Sequence, residues 1–229
     1  MLIHGLQKMT LLDFPGRVAC TVFLGGCDLR CPFCHNFSLA DGSAPAVMDD
    51  AALLAFLEKR RGLLDGVAFT GGEPLLRPDL PELLRAVRER GFAVKLDTNG
   101  THPSPLAALL SEGLVDYVAM DLKNSFERYA ETCGLPFVDP APLRESIRLL
   151  MNGPADYEFR TTVVAQFHDE ESLTLASREI AGARRYFLQV FADRESVPRR
   201  DLTAPSREDL LRYLSAVRRA VPEAQLRGI

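Results

Sequence analysis

The chain has no surplus of positive charge: 27 Lys and Arg stand against 31 Asp and Glu, a formal net charge of −4 with an isoelectric point near 5.6. That balance excludes a generic binder of nucleic acid or of acidic membrane surfaces. No run approaches the roughly 18 consecutive apolar residues of a spanning helix. The opening MLIHGLQKMT lacks both the apolar stretch and the cleavage site of a secretory leader. The expected location is the cytoplasm, with no membrane and no nucleic acid as partner. Short-period repeats, low-complexity tracts and linkers rich in Gly, Ser or Pro are also missing, so residues 1–229 read as one domain. Cysteine is scarce and odd in number: Cys20, Cys27, Cys31, Cys34 and Cys133, three of them inside one eight-residue window. This is not a disulfide framework, and in a reducing compartment such clustering reads as metal binding.

Short β-branched runs alternate with longer amphipathic ones. Strands are predicted at Val18 to Leu24, Gly66 to Thr70, Phe92 to Asp97, Val115 to Asp121, Tyr157 to Val164 and Arg184 to Phe191. Helical spacing follows Asp49 or Asp50, with Leu53, Leu54 and Leu57, and follows Asp79, with Leu83, Leu84 and Val87 before Gly91. Further helices fit Pro105 to Leu110, Leu143 to Met151, Glu170 to Ala181 and Ser206 to Ala220. Strands alternating with helices imply right-handed crossovers and a parallel sheet whose strands are apolar on both faces. Six such units fall short of the eight-unit barrel, which usually takes about 250 residues. The predicted fold is therefore α/β, a partial (β/α)6 barrel of TIM type.

Just past the first strand stands Cys27-Asp-Leu-Arg-Cys31-Pro-Phe-Cys34-His-Asn. Three soft thiolates on a loop suit zinc or an iron–sulfur cluster. Structural zinc is almost always closed by four protein ligands, and no second CxxC or HxxxH pair is present; His35 would have to bend back sharply. A four-iron cluster on three cysteines leaves one iron open for chemistry. The second motif, Thr70-Gly71-Gly72-Glu73-Pro74, ends the second strand. Its glycines let a ligand approach the backbone and Glu73 can accept from an ammonium group, although a tight turn with a capping acid reads the same way. No Gly-Lys-Ser/Thr follows, so it is not a phosphate loop.

Together, CxxxCxxC after the first strand and GGEP after the second resemble the radical S-adenosylmethionine (radical SAM) enzymes. Leu11-Leu-Asp-Phe-Pro-Gly16, Leu96-Asp-Thr-Asn-Gly100 and Met120-Asp-Leu-Lys123 narrow the resemblance to the activating enzymes of glycyl radical enzymes. Among these, the chain is most similar to anaerobic ribonucleoside-triphosphate reductase activating proteins, then to pyruvate formate-lyase activators. The resemblance implies a 4Fe-4S cluster whose open iron chelates S-adenosylmethionine. It implies reductive cleavage of that cofactor to a 5′-deoxyadenosyl radical, and removal of a hydrogen atom from a glycine of a partner enzyme. A radical enzyme acting on another substrate is the alternative.

Carried over residue by residue, the resemblance assigns the cluster to Cys27, Cys31 and Cys34. Phe33 is assigned the adenine, a core plug being its other reading, and Glu73 with Gly71 and Gly72 the methionine ammonium. Asp97, Thr98 and Asn99 end the third strand, and Asp121 and Lys123 end the fourth, at the mouth where barrel chemistry sits. In the formate-lyase activators the counterparts of Asp97 and Thr98 help hold a monovalent cation. Arg160 and Gln189 interrupt apolar runs, and are assigned the methionine carboxylate and the adenosyl pocket.

Cys20 reads as a core filler and Cys133, beside Gly134, as a free thiol in a loop. His4, His102 and His168 read as solvated or capping, Arg184-Arg185 and Arg199-Arg200 as solvated surface, and Asp13, Phe14 and Pro15 as a lip of the site. Between Asn36 and Gly66 there is no cysteine, whereas some related activators carry an inserted ferredoxin-like domain there. One cluster is therefore expected, fed by an external flavodoxin or ferredoxin.

Overall fold

The computed structural model describes residues 2–228, and one nine-stranded sheet runs through them. The chain opens on β1 (Leu2–Thr10), which the sequence pattern does not reveal because Gly5 and Lys8 break its alternation. β1 pairs antiparallel with β2 (Ala19–Leu24), and its first residues pair with the two-residue β3 (Met48–Asp49). From β2 onward each strand runs parallel to its neighbour: β4 (Gly66–Gly71), β5 (Ala93–Thr98), β6 (Tyr117–Asp121), β7 (Asp156–Val163), β8 (Tyr186–Val190) and β9 (Gln225–Arg227). The order β3-β1-β2-β4-β5-β6-β7-β8-β9 does not close on itself, so the barrel is partial as predicted. β9 adds a seventh parallel strand to the six expected.

The helices are α1 (Phe37–Ala40), α2 (Asp50–Glu58), α3 (Leu80–Glu89), α4 (Pro103–Ser111), α5 (Tyr129–Cys133), α6 (Pro140–Asn152), α7 (Glu170–Glu179) and α8 (Arg207–Val217). Their starts follow local chemistry. Asp49 caps α2 by accepting from Ala52 N, and Asp169 and Ser172 form a capping box on α7. α4 begins at Pro103, earlier than expected, because a first-turn proline lacks only an N–H that has no helical partner there. Among the described residues no helix is long and apolar enough to cross a membrane.

The two faces of the sheet differ, which corrects the expectation of apolar residues on both. Val22, Leu24, Val67, Phe69, Val94, Leu96, Val118, Phe159 and Leu188 point outward and are buried under the helices. Each contributes about 1.5–3 kcal/mol on burial. Alternate positions point into the barrel, and beside the aromatic Phe23, Tyr117 and Phe187 the side chains there are small or polar: Thr21, Ala68, Lys95, Asp97, Ala119, Asp121, Glu158 and Arg160. The lumen is thus a polar chamber rather than a second core. At its N-terminal end Phe14 packs on Ala19 and Tyr117, with the Phe14 and Tyr117 ring centroids 6.1 Å apart. Phe14 therefore plugs the bottom of the barrel instead of lining the lip of the site. Asp13 beside it turns into the lumen and accepts from Thr21 Oγ1 at 2.6 Å.

Candidate active site

At the C-terminal ends of the parallel strands lies a cavity of about 420 Å³, within the range of small-molecule sites. Every site residue expected from the sequence lines it except Glu73: the three cysteines, Phe33, Gly71, Gly72, Asp97, Thr98, Asn99, Asp121, Lys123, Arg160 and Gln189. Parallel strands in register deliver their last residues to one end, so positions scattered over 160 residues of chain meet in one place.

The cysteine loop is held from three sides. Gly72 N donates to Leu24 O at 2.8 Å and Glu73 N to Gly26 O at 2.7 Å, which ties the GGE turn to the loop's entrance. A Cβ at Gly72 would overlap the Gly26 carbonyl, so the close approach this glycine permits is that of the chain to itself. On a second side, Asp28 accepts from Asn99 Nδ2 at 2.8 Å and Thr101 Oγ1 at 2.7 Å, with His102 Nε2 3.2 Å from its other edge. Burial would raise the Asp28 carboxyl, but the nearby His102 ring and the hydrogen bonds from Thr101 and Asn99 outweigh it and hold the group below the usual carboxylate range. On the third side, Arg30 N donates to Cys133 O at 2.9 Å. Gly134, at φ +68°, carries no Cβ that would overlap Arg30 O.

Cys133 is accordingly not a loop thiol. It is buried at the end of α5, and the interaction between the two thiols lowers Cys31 and raises Cys133 well above the ordinary range. Burial pushes Cys27 up to about 12 and also raises Cys34. Cys27 and Cys34 are thereby held neutral until something positive binds them. Among the described residues no group of three His, Cys, Asp or Glu side chains forms a site for a single metal ion. The three cysteines instead share one cavity wall, and three thiols of this kind fit the donor set of an iron–sulfur cluster. His35 also borders the cavity, with Nε2 2.7 Å from Ala192 O and its ring stacked on Phe191.

Glu73 is fully buried beneath the GGE turn. Its carboxylate accepts from Leu75 N at 3.1 Å, Thr98 Oγ1 at 2.9 Å and Asn99 N at 2.6 Å, so it binds the turn to the end of β5. Burial pushes its carboxyl up to about 7 in spite of those donors.

The floor of the cavity is an ion network. Arg160 donates through Nη1 to Asp97 at 3.2 Å and through Nε to Asp121 at 2.9 Å, while Lys123 Nζ donates to Asp121 at 2.9 Å. Lys95, 2% exposed, reaches Asp97 from below. Burial opposes both carboxylates, yet Arg160 with Lys123 holds Asp121 at about 2, and Arg160 with Lys95 lowers Asp97. Under Lys123 sits His168, which is buried rather than solvated: Nε2 donates to Lys123 O at 2.8 Å and Nδ1 accepts from Val164 N at 3.1 Å. Phe33 is buried 5.9 Å from the Phe167 ring, one edge on the core and one on the cavity.

Asp28, Lys95, Cys133 and His168 are missed by sequence reading. Only Lys95 carries a signal, since a lysine inside Val-Lys-Leu interrupts an apolar strand just as Arg160 does.

The sequence model of the radical SAM superfamily matches residues 21–171. A protein of Methanocaldococcus jannaschii with the provisional name glycyl-radical enzyme activating enzyme is 32% identical over 206 residues, 85% of this chain and 82% of its own length. The pyruvate formate-lyase-activating enzyme of Clostridium pasteurianum is 33% identical over 127 residues, about half of each chain (53% and 52%). In fold, the chain superposes on Streptococcus suis SuiB bound to S-adenosylmethionine with a TM-score of 0.69 at 16% identity, covering 91% of this chain and 52% of that one.

Proposed function

Because the chain belongs to the radical SAM superfamily, and within it to the glycyl-radical enzyme activating enzymes, we propose that it installs a glycyl radical on anaerobic ribonucleoside-triphosphate reductase. Its family uses a 4Fe-4S cluster on three cysteines together with S-adenosylmethionine, and when bound these supply the one-electron cleavage that yields a 5′-deoxyadenosyl radical. The observation that carries the reading is the convergence of Cys27, Cys31 and Cys34 with the GGE, DTNG and DLK segments on one cavity.

The chain's own residues divide the remaining work. Cys27, Cys31 and Cys34 hold the cluster. The Gly71–Gly72 turn receives the methionine ammonium, with the buried Glu73 carboxyl tying that turn to the end of β5. Arg160 and Lys123, already fixed by Asp97 and Asp121, present positive charge to the methionine carboxylate. Phe33 and Gln189 border the adenosyl group, and Thr98 and Asn99 keep the β5 end in place. The open side of the sheet leaves room for a glycine-bearing loop of the partner, and a flavodoxin or ferredoxin supplies the electron in the cytoplasm. Pyruvate formate-lyase is the second candidate partner, favoured by the Clostridium pasteurianum likeness.

The test is anaerobic reconstitution with iron and sulfide, reduction with dithionite, and addition of S-adenosylmethionine with or without each purified partner. Release of 5′-deoxyadenosine and a glycyl spin-resonance signal on the reductase alone are expected. A signal on formate-lyase alone moves the assignment to that partner. A formed cluster with no cleavage rejects the activity.

A further inference from the structure

Each of the four carboxylate oxygens of Asp97 and Asp121 already has a cation of the chain against it. Lys95 Nζ donates to Asp97 Oδ1 and Arg160 Nη1 to Asp97 Oδ2, while Arg160 Nε donates to Asp121 Oδ1 and Lys123 Nζ to Asp121 Oδ2. Thr98, the other residue through which a monovalent metal ion was expected, turns its hydroxyl elsewhere: Oγ1 donates to Glu73 Oε1 at 2.9 Å and accepts from Gly100 N at 3.1 Å. These residues do not fit a metal cation beside Asp97.

Lys95 makes the difference. It stands two residues before Asp97 on the same face of β5, so the pleat aims its stem up the lumen and its ammonium at the carboxylate. A lysine only 2% exposed needs a partner of opposite sign, and Asp97 is that partner. An ammonium and a potassium or sodium ion carry the same charge and both take oxygen partners. In the network of Lys95, Lys123 and Arg160 against Asp97 and Asp121, three cations face two carboxylates, which leaves one positive charge for an arriving anion. Asp13, the next carboxylate on the cavity wall, is engaged by Thr21.

We infer that the Lys95 ammonium replaces a monovalent metal ion at the floor of this cavity, so that a ligand docking its carboxylate above Asp97 and Asp121 binds independently of potassium and sodium. The inference rests on the reading of the cavity as the S-adenosylmethionine site. Lys95 acts through Asp97 and is a positioning residue.

Titration calorimetry of S-adenosylmethionine into the anaerobically reconstituted protein, in potassium, sodium or choline chloride at equal ionic strength, tests it. The wild-type dissociation constant is expected to agree within roughly twofold across the three salts, a difference under about 0.5 kcal/mol. Lys95→Met, in choline, is expected to bind roughly tenfold more weakly, and potassium or sodium to recover most of that loss by entering the vacated place. Rescue by a metal ion is something a purely structural lysine would not produce. Tightening of the wild type by tenfold or more on replacing choline with potassium or sodium overturns the inference, and this arm needs no variant to fold. Lys95→Met binding as well as wild type in choline overturns it too. Absence of binding in every salt, with the cluster shown intact by spin resonance, overturns the cofactor reading and the inference with it.

Discussion

Asn99 Nδ2 donates to Asp28 Oδ1 at 2.8 Å, joining the end of β5 to the middle of the cysteine loop across 71 residues of sequence. Thr101 and His102 approach the same carboxylate, and Asn99 N is in turn held by Glu73. The two polar motifs are therefore one mechanical unit: the loop that carries the thiols is positioned by the segment that lines the opposite wall.

Asp28→Ala is expected to loosen that unit. It leaves the Asn99 amide without its Asp28 acceptor, the Thr101 hydroxyl keeping Asn99 Oδ1 at 2.7 Å, and lowers stability by about 1–3 kcal/mol. Urea denaturation of the cluster-free protein measures the loss, and iron content after reconstitution should fall with it. Unchanged stability and unchanged iron would show that the carboxylate positions nothing.

Cys133 and Cys31 perturb each other, yet their substitutions should differ. Cys31→Ala, like Cys27→Ala and Cys34→Ala, is expected to lose the brown iron–sulfur absorbance. Cys133→Ala, which removes a thiol behind the wall, is expected to keep it, with a modest stability loss of about 1–2 kcal/mol for the deleted buried group. Equal loss of absorbance in both would make Cys133 part of the cluster site.

Glu73 gives stability a pH dependence with a definite sign. Its carboxyl sits at about 7 when buried, against an ordinary 4.5, so between those values the native protein keeps a proton that the unfolded chain has released. Stability from this group is full below about 4.5 and falls as the pH rises toward 7, by about 3 kcal/mol in all. Glu73→Gln should remove this decline while lowering stability throughout, because its amide would face the Asn99 N–H donor. Denaturation midpoints of the cluster-free proteins across that window decide it, and parallel pH curves would refute the assignment.

Arg160→Met strips one cation from each of two half-buried carboxylates and is expected to cost about 3 kcal/mol, the low end for a buried pair. Arg160→Lys, which can reach one carboxylate but cannot fork between both, should fall between Met and wild type. If all three unfold at the same urea concentration, the network is not a source of stability.

Much of this was legible in the residues. Strand–helix alternation gave the parallel sheet and its open barrel, because each outward strand face is an unbroken apolar row such as Val22 and Leu24 or Val94 and Leu96. The cavity was legible because parallel strands end together, so that motifs closing successive strands must meet. What stayed hidden depends on distance rather than pattern. β1 is held by its pairing with β2 and not by periodicity, and nothing local to Cys133 or His168 announces that α5 and the β7 exit pack beneath the cysteine loop. The polar lumen was misjudged for a related reason. In a strand such as VKLDT apolar and charged residues alternate, and the pleat sends Val94 and Leu96 to one face and Lys95 and Asp97 to the other.

Gly72 has a bearing on how genetic data for this chain should be interpreted. Its missing Cβ makes room for the Gly26 carbonyl, so any side chain there pushes the cysteine loop out of place. In a growth selection across all single substitutions, Gly72 and Cys31 would be equally intolerant, and a reader of the tolerance map would assign both to chemistry. Abundance separates them: Gly72 variants should vanish from the soluble pool, whereas Cys31 variants should accumulate as folded, colourless protein.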